Sequence, residues 1–156
     1  VLTCTSGTAT VNFHPAVVEA GLSNVPMIVA TADRPPELRG VGAPQTIDQL
    51  ELYGRSVRWF HDAPVPDEAD PATWRPLAQR VFSTADAGPV HLNLPVREPL
   101  LGTAQPLPEP IGPPLPVPRG LATSGPAKEY DRQRGVVVAA GRSGVDPDAV
   151  FALAER

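Results

Sequence analysis

The sequence predicts an α/β fold with a mainly parallel sheet and helices on both faces. Three observations carry that expectation. Strand-length apolar runs alternate with helix-length segments from residue 1 to about residue 94, the order expected of a parallel sheet. Pro26–Thr31 (PMIVAT) is apolar throughout, as a strand covered on both faces should be. Residues 71–87 carry a helical stripe, with a capping residue before it and a glycine after it.

The elements follow in order. Val1–Thr5 is a short β-favouring run, and Ser6-Gly7-Thr8 is a turn. Ala9–Leu22 reads as a helix whose Val11, Ala16, Val18 and Leu22 share one broad face, with Pro15 placed near its first turn. Pro26–Thr31 is the second strand, and Ala32–Ala43 (ADRPPELRGVGA) is a loop stiffened by two prolines. Thr46–Tyr53 reads as a short helix stopped by Gly54, and Ser56–His61 as a strand. Pro64–Asp70 is an acidic loop. In Pro71–Ala87 the residues Trp74, Leu77, Ala78, Val81, Phe82 and Ala85 recur at helical spacing and are expected in the core. Asp70 is the natural N-cap, Pro71 suits the first helical position and Gly88 ends the helix. Pro89–Leu94 (PVHLNL) is the next strand.

A linker is expected after residue 100, because 7 of the 13 residues from Pro106 to Pro118 are proline. A second α/β unit should open near residue 134. Gly135–Ala140 would be its buried strand, Gly141–Val145 a turn and Asp146–Arg156 the start of a helix. The first residue is Val1 rather than Met, and the last falls inside a helical pattern, so a segment of a longer chain is expected.

Composition narrows the function classes. The 156 residues are 42% hydrophobic, which is enough for a core. A net charge of -4 argues against nucleic-acid binding. No run approaches the roughly 18 apolar residues of an integral membrane segment. A single cysteine, Cys4, excludes an internal disulfide, and His14, His61 and His91 have no partner at metal-ligand spacing.

Ligands of open parallel sheets bind beyond the carboxyl ends of the strands. The Ser6-Gly7-Thr8 turn lies there, with backbone N–H groups that could meet an anion or a polar ring; a plain strand-to-helix turn is the alternative. Arg34, held beside Pro35 and Pro36, could grip a carboxylate, or pair with Asp33 or Glu37. Gln45 can both donate and accept, or merely cap a helix.

Taken together, CTSGTATVNFHPAVVEA at 4–20, TADRPPELRGVGAPQTIDQ at 31–49 and GPVHLNLPVREPL at 88–100 resemble one family. It is the 2-succinyl-5-enolpyruvyl-6-hydroxy-3-cyclohexene-1-carboxylate synthases, thiamine-diphosphate-dependent transferases of menaquinone biosynthesis. The resemblance implies residues 1–100 as the C-terminal portion of a pyrimidine-binding domain, 101–134 as linker and 135–156 as the start of a central domain. It implies decarboxylation of 2-oxoglutarate and addition of the succinyl unit to isochorismate. The cofactors would be thiamine diphosphate and Mg2+ (or manganese), with the metal ligands outside these 156 residues.

By the same resemblance, Ser6, Gly7, Thr8 and Asn12 lie at the aminopyrimidine side of the cofactor. Arg34 binds substrate carboxylate, and Gln45 is both a substrate-binding and a catalytic residue. Pro44 stands where the family pattern leads us to expect Asn. A cytoplasmic homodimer or homotetramer is implied, and the 156 residues alone are expected to be inactive. Two other readings remain open. One is another thiamine-dependent carboligase, similar to acetolactate synthase. The other is a non-catalytic ligand-binding module built on the Gly141-Arg142-Ser143-Gly144 turn.

Overall fold

The computed structural model describes residues 1–103 together with Glu109, Asp148 and Ala152. The chain divides into two compact units, Val1–Pro108 and Glu109–Arg156, and the strands and helices below belong to the first. The expected linker at 101–134, the second unit from 135 and the turn at 141–144 lie almost wholly outside the described residues. Asp148 and Ala152 are helical.

Four strands form one parallel sheet. They are β1 (Leu2–Cys4), β2 (Met27–Asp33), β3 (Trp59–Asp62) and β4 (Pro89–Pro95), in the order β1-β2-β4-β3. Leu2 pairs with Val29, Val29 with His91 and Asp62 with Asn93. The expected parallel α/β architecture is therefore present. β4, the last strand in sequence, lies between β2 and β3, so β2 and β4 form the interior of the sheet.

Side chains alternate across a pleated strand, and two apolar clusters result. On one face, helix α1 (His14–Leu22) brings Val17 against Val29 and Tyr53, with Leu2, Phe13 and Met27 around them. On the other, α2 (Trp74–Ala85) brings Val81 and Ala85 against Val90, with Ile28, Trp59 and Leu92.

Several boundaries differ from expectation. The first helical segment is a 3-10 helix over Gly7–Phe13 followed by α1, with Pro15 in the first turn of α1, where its missing N–H costs nothing. β2 continues two residues beyond Thr31, through Ala32 and Asp33, because its carboxyl end pairs with Leu94 and Pro95. β3 begins at Trp59 rather than Ser56. Arg58 ahead of it reaches Ala87 O and Gly21 O, at 3.0 and 2.7 Å, and holds that stretch as a turn.

Thr46–Tyr53 forms no helix. Gln45 and Glu51 have φ of 57° and 51°, in the left-handed region, where a right-handed helix cannot run. α2 starts as expected, with Asp70 accepting the Ala72 N–H at 2.9 Å and Pro71 opening a 3-10 turn. Its stripe is only half buried. Val81 and Ala85 are in the core, whereas Ala78 is exposed and Phe82 is 59% exposed.

Candidate functional site

The polar residues collect at the carboxyl edge of the sheet. On the α1 face, β2 runs from Val29 through Thr31 to Asp33, and β4 runs from His91 to Asn93. β2 thus turns from apolar to polar along this face as it nears the edge, and β4 is polar there at both His91 and Asn93. The turn after β1 and the long segment 34–53 after β2 close over it.

The turn is strapped to that segment at three points. Ser6 Oγ donates to Gln45 O at 3.0 Å. Gln45 Nε2 donates to Thr5 Oγ1 at 2.5 Å and Ser6 O at 3.3 Å. The Gly7 N–H donates to Gln49 Oε1 at 2.7 Å. Gly7 has φ of 85°, and a Cβ there would lie 2.9 Å from Gln45 O. Only glycine permits both this conformation and this approach. The Gly7 N–H is therefore directed into the protein rather than toward a ligand, contrary to the expectation for that donor. Thr5, Thr8, Asn12 and the Gln45 side chain remain exposed on the turn and beside it.

Beneath the turn lies a buried hydrogen-bond network that motif reading missed. Gln49 is 1% exposed and donates to Ala32 O at 3.0 Å and Asn93 Oδ1 at 2.9 Å. Asn93 donates to Asp33 Oδ2 and Asp62 Oδ1, both at 2.8 Å. The Thr31 hydroxyl donates to Asn93 Oδ1 at 2.9 Å, so toward His91 Nε2, also at 2.9 Å, it must accept. His91 is thereby fixed as the Nε2–H tautomer. Its Nδ1 is buried without a partner, beside the Tyr53 and Phe60 rings. Burial holds the His91 pKa down to about 4, so the ring is neutral at ordinary pH. Tyr53 spends its hydroxyl on Thr10 O at 2.7 Å, and burial raises its pKa to about 12. The polar letters within PVHLNL and TIDQ were the available signal, since a buried strand that ends in His and Asn must satisfy them.

Arg34 makes no ion pair among the described residues. Asp33 accepts its backbone N–H at 2.7 Å, not its guanidinium. One guanidinium nitrogen, Nη2, is 3.4 Å from Pro44 O, while Nε is buried with no partner. The neighbouring carboxylates are taken by other arginines. Arg39 holds Asp33 and Asp62, each at 2.9 Å, and Arg97 holds Glu37, Asp67 and Glu68. Burial disfavours the charged form of Asp62, but the hydrogen bonds from Arg39 and Asn93 outweigh it and lower its pKa. The hydrogen bond to Asp62 raises the Arg39 pKa.

Ser6, Gly7, Thr8 and Gln45 are thus brought together, Asn12 lies on the 3-10 helix that follows the turn, and Arg34 reaches the same segment through Pro44. Gln45 caps no helix. Among the described residues no group of three His, Cys, Asp or Glu could hold a metal ion, and no helix is long and apolar enough to cross a membrane.

The site can be set against known proteins. Residues 1–52 match the family model of the thiamine pyrophosphate enzyme N-terminal TPP binding domain. Three curated proteins, each named 2-succinyl-5-enolpyruvyl-6-hydroxy-3-cyclohexene-1-carboxylate synthase, are similar to this chain. The Geobacillus thermodenitrificans protein is 56% identical over 107 residues, covering 65% of this chain and 18% of that one. The Chloroflexus aurantiacus protein is 59% identical over 101 residues, covering 63% and 17%. The Thermobifida fusca protein is 57% identical over 120 residues, covering 74% and 21%. The resemblance read from the sequence is borne out. The chain spans about a fifth of the length of the curated relatives it matches.

Proposed function

We propose that the polypeptide carrying this segment is a thiamine-diphosphate-dependent synthase. It decarboxylates 2-oxoglutarate and adds the succinyl unit to isochorismate, as a step of menaquinone biosynthesis. The observation that carries this reading is the state of Arg34. Its guanidinium makes no ion pair among the described residues, while Asp33 beside it and Glu37 in the same loop are paired to Arg39 and Arg97. An arginine in that state suits a substrate rich in carboxylates. The names and identities of the similar proteins support the same reading.

The residues present fit the cofactor. Thr8 and Asn12 present an exposed hydroxyl and an exposed amide beside the turn for the aminopyrimidine, while the buried Ser6 and Gly7 hold the turn in shape through Gln45 and Gln49. Bound thiamine diphosphate supplies the electron sink for decarboxylation. The chain's own residues bind and orient. Arg34 takes a substrate carboxylate. The Gln45 amide, held at a fixed angle by Thr5 and Ser6, offers a neutral hydrogen-bonding group to the reacting carbonyl. The straps from Gln45 and Gln49 fix the distance between the turn and the substrate-side loop. We assign the accompanying Mg2+ no ligand among the described residues. A cytoplasmic homodimer or homotetramer completes the proposal.

The test is turnover of 2-oxoglutarate with isochorismate by the full-length protein, supplied with thiamine diphosphate and Mg2+. Formation of the coupled product supports the reading. Turnover of pyruvate alone would move the protein to the acetolactate-synthase type.

A further inference from the structure

Arg39 lies in the same loop as Arg34, and its guanidinium serves three partners at once. Nε donates to Arg34 O at 3.2 Å. Nη1 meets Asp62 Oδ2 at 2.9 Å, and Nη2 meets Asp62 Oδ1 at 3.0 Å and Asp33 Oδ2 at 2.9 Å. Asp33 is 1% exposed in its side chain and has spent its other oxygen on the Arg34 N–H. Asn93 Nδ2 donates to the same two carboxylates from beneath. Without Arg39, two carboxylates that share one amide would hold charge beside Arg34 with no cation between them. Such a pair would draw the Arg34 guanidinium inward and repel an incoming anion. With Arg39 in place, Asp33 is saturated and the Arg34 backbone is tied down.

From this arrangement we infer that Arg39 is a positioning residue: by neutralising Asp33 and Asp62 and holding the Arg34 carbonyl, it keeps the Arg34 guanidinium open for a substrate carboxylate. The inference rests on the role proposed above for Arg34. It assigns a function to a residue that itself touches no substrate.

The test uses the full-length enzyme with Arg39→Gln, Asp33→Asn and the two combined. Arg39→Gln should raise KM for isochorismate by about tenfold, the loss of one charge-assisted contact, and leave kcat within about twofold. The double variant, which removes the buried Asp33 charge together with that of Arg39 and so restores the local net charge, should recover most of that KM. Thermal unfolding is followed in parallel, because a merely structural Arg39 would change Tm without this KM-specific rescue. An unchanged KM in folded Arg39→Gln overturns the inference, and so does a double variant that regains Tm but not KM. Should Arg39→Gln fail to fold, Arg39→Lys takes its place. It keeps the charge but cannot reach three partners, so KM should rise less, and an unchanged KM overturns the inference.

A second readout does not depend on turnover. The rate at which phenylglyoxal modifies Arg34, followed by peptide mass spectrometry, should fall in Arg39→Gln and return in the double variant. Equal rates in all three proteins overturn the inference. A wild-type enzyme that does not turn over isochorismate, yet shows this modification pattern, fails the functional reading and leaves the role of Arg39 standing.

Discussion

Gln49 Oε1 accepts the Gly7 N–H at 2.7 Å across 42 residues of chain. This contact joins the turn after β1 to the buried network on β4, because the other end of the same amide holds Asn93 and Ala32. Gln49→Ala should leave the Gly7 N–H and Asn93 Oδ1 short of partners, at a cost of about 1–3 kcal/mol for each group left unsatisfied. Gln49→Glu should be worse at neutral pH, since it faces an oxygen toward Asn93 Oδ1 and Ala32 O. Its deficit should shrink in acid, where the carboxyl can donate one hydrogen bond. Denaturation midpoints at neutral and acidic pH measure both effects.

Gly7→Ala should both strain and obstruct. At φ of 85°, with Gln45 O 2.9 Å from the new Cβ, the turn must open. A destabilisation of more than about 1 kcal/mol follows from the backbone conformation alone. Displacing Gln45 should also weaken thiamine diphosphate binding, about tenfold for each 1.4 kcal/mol lost. Titration calorimetry of the full-length protein with the cofactor checks the second effect.

His91 should make the fold acid-sensitive. Its folded pKa of about 4 lies below its ordinary value of 6.5, so the unfolded chain binds the proton first as pH falls. Stability from this group is complete above about pH 6.5 and is lost as pH falls toward 4, amounting to about 3 kcal/mol at most. His91→Gln, which can still donate to Thr31, should flatten the stability profile across that window. The imidazole nitrogens of wild-type protein should show the Nε2–H tautomer by NMR.

Asp70→Ala should remove the cap that accepts the Ala72 N–H, lowering stability by about 1 kcal/mol. Kinetics should not change, because Asp70 caps the helical turn before α2 and is no part of the candidate site. Asp70→Asn should retain most of the cap.

These effects show where local pattern was enough. The cap at Asp70, the apolar run of β2 and the strand at 89–94 were legible because each depends on near neighbours in sequence. Thr46–Tyr53 was not, although its apolar spacing suits a helix. Gln49 and Tyr53, four residues apart, spend their side chains on Gly7 and Thr10, and those distant contacts outweigh local propensity. Ala32 and Asp33 lie beyond the expected end of β2 for the same reason, since they pair with β4 and Asp33 accepts from Asn93, contacts that the local sequence does not reveal. Phe82 fits the helical stripe yet is exposed, and its spacing could not tell which edge of the stripe meets the sheet. At the site, the strand-to-helix turn at Ser6-Gly7-Thr8 is legible from its local pattern, and the structure places Gln45 against it. Gln49, Asn93 and Arg39 passed unnoticed because each works through another residue.

The measurement that bears most directly on the central claim is the steady-state kinetics of the full-length protein and its Arg34→Ala variant, with 2-oxoglutarate, isochorismate, thiamine diphosphate and Mg2+. The account predicts coupled turnover by the wild-type protein. For Arg34→Ala it predicts at least a roughly tenfold loss in kcat/KM for isochorismate, the scale of one charge-assisted contact to a carboxylate. Wild-type turnover with unchanged kinetics in Arg34→Ala would contradict it, because the Arg34 guanidinium, which has no ion pair among the described residues, would then have no part in binding substrate.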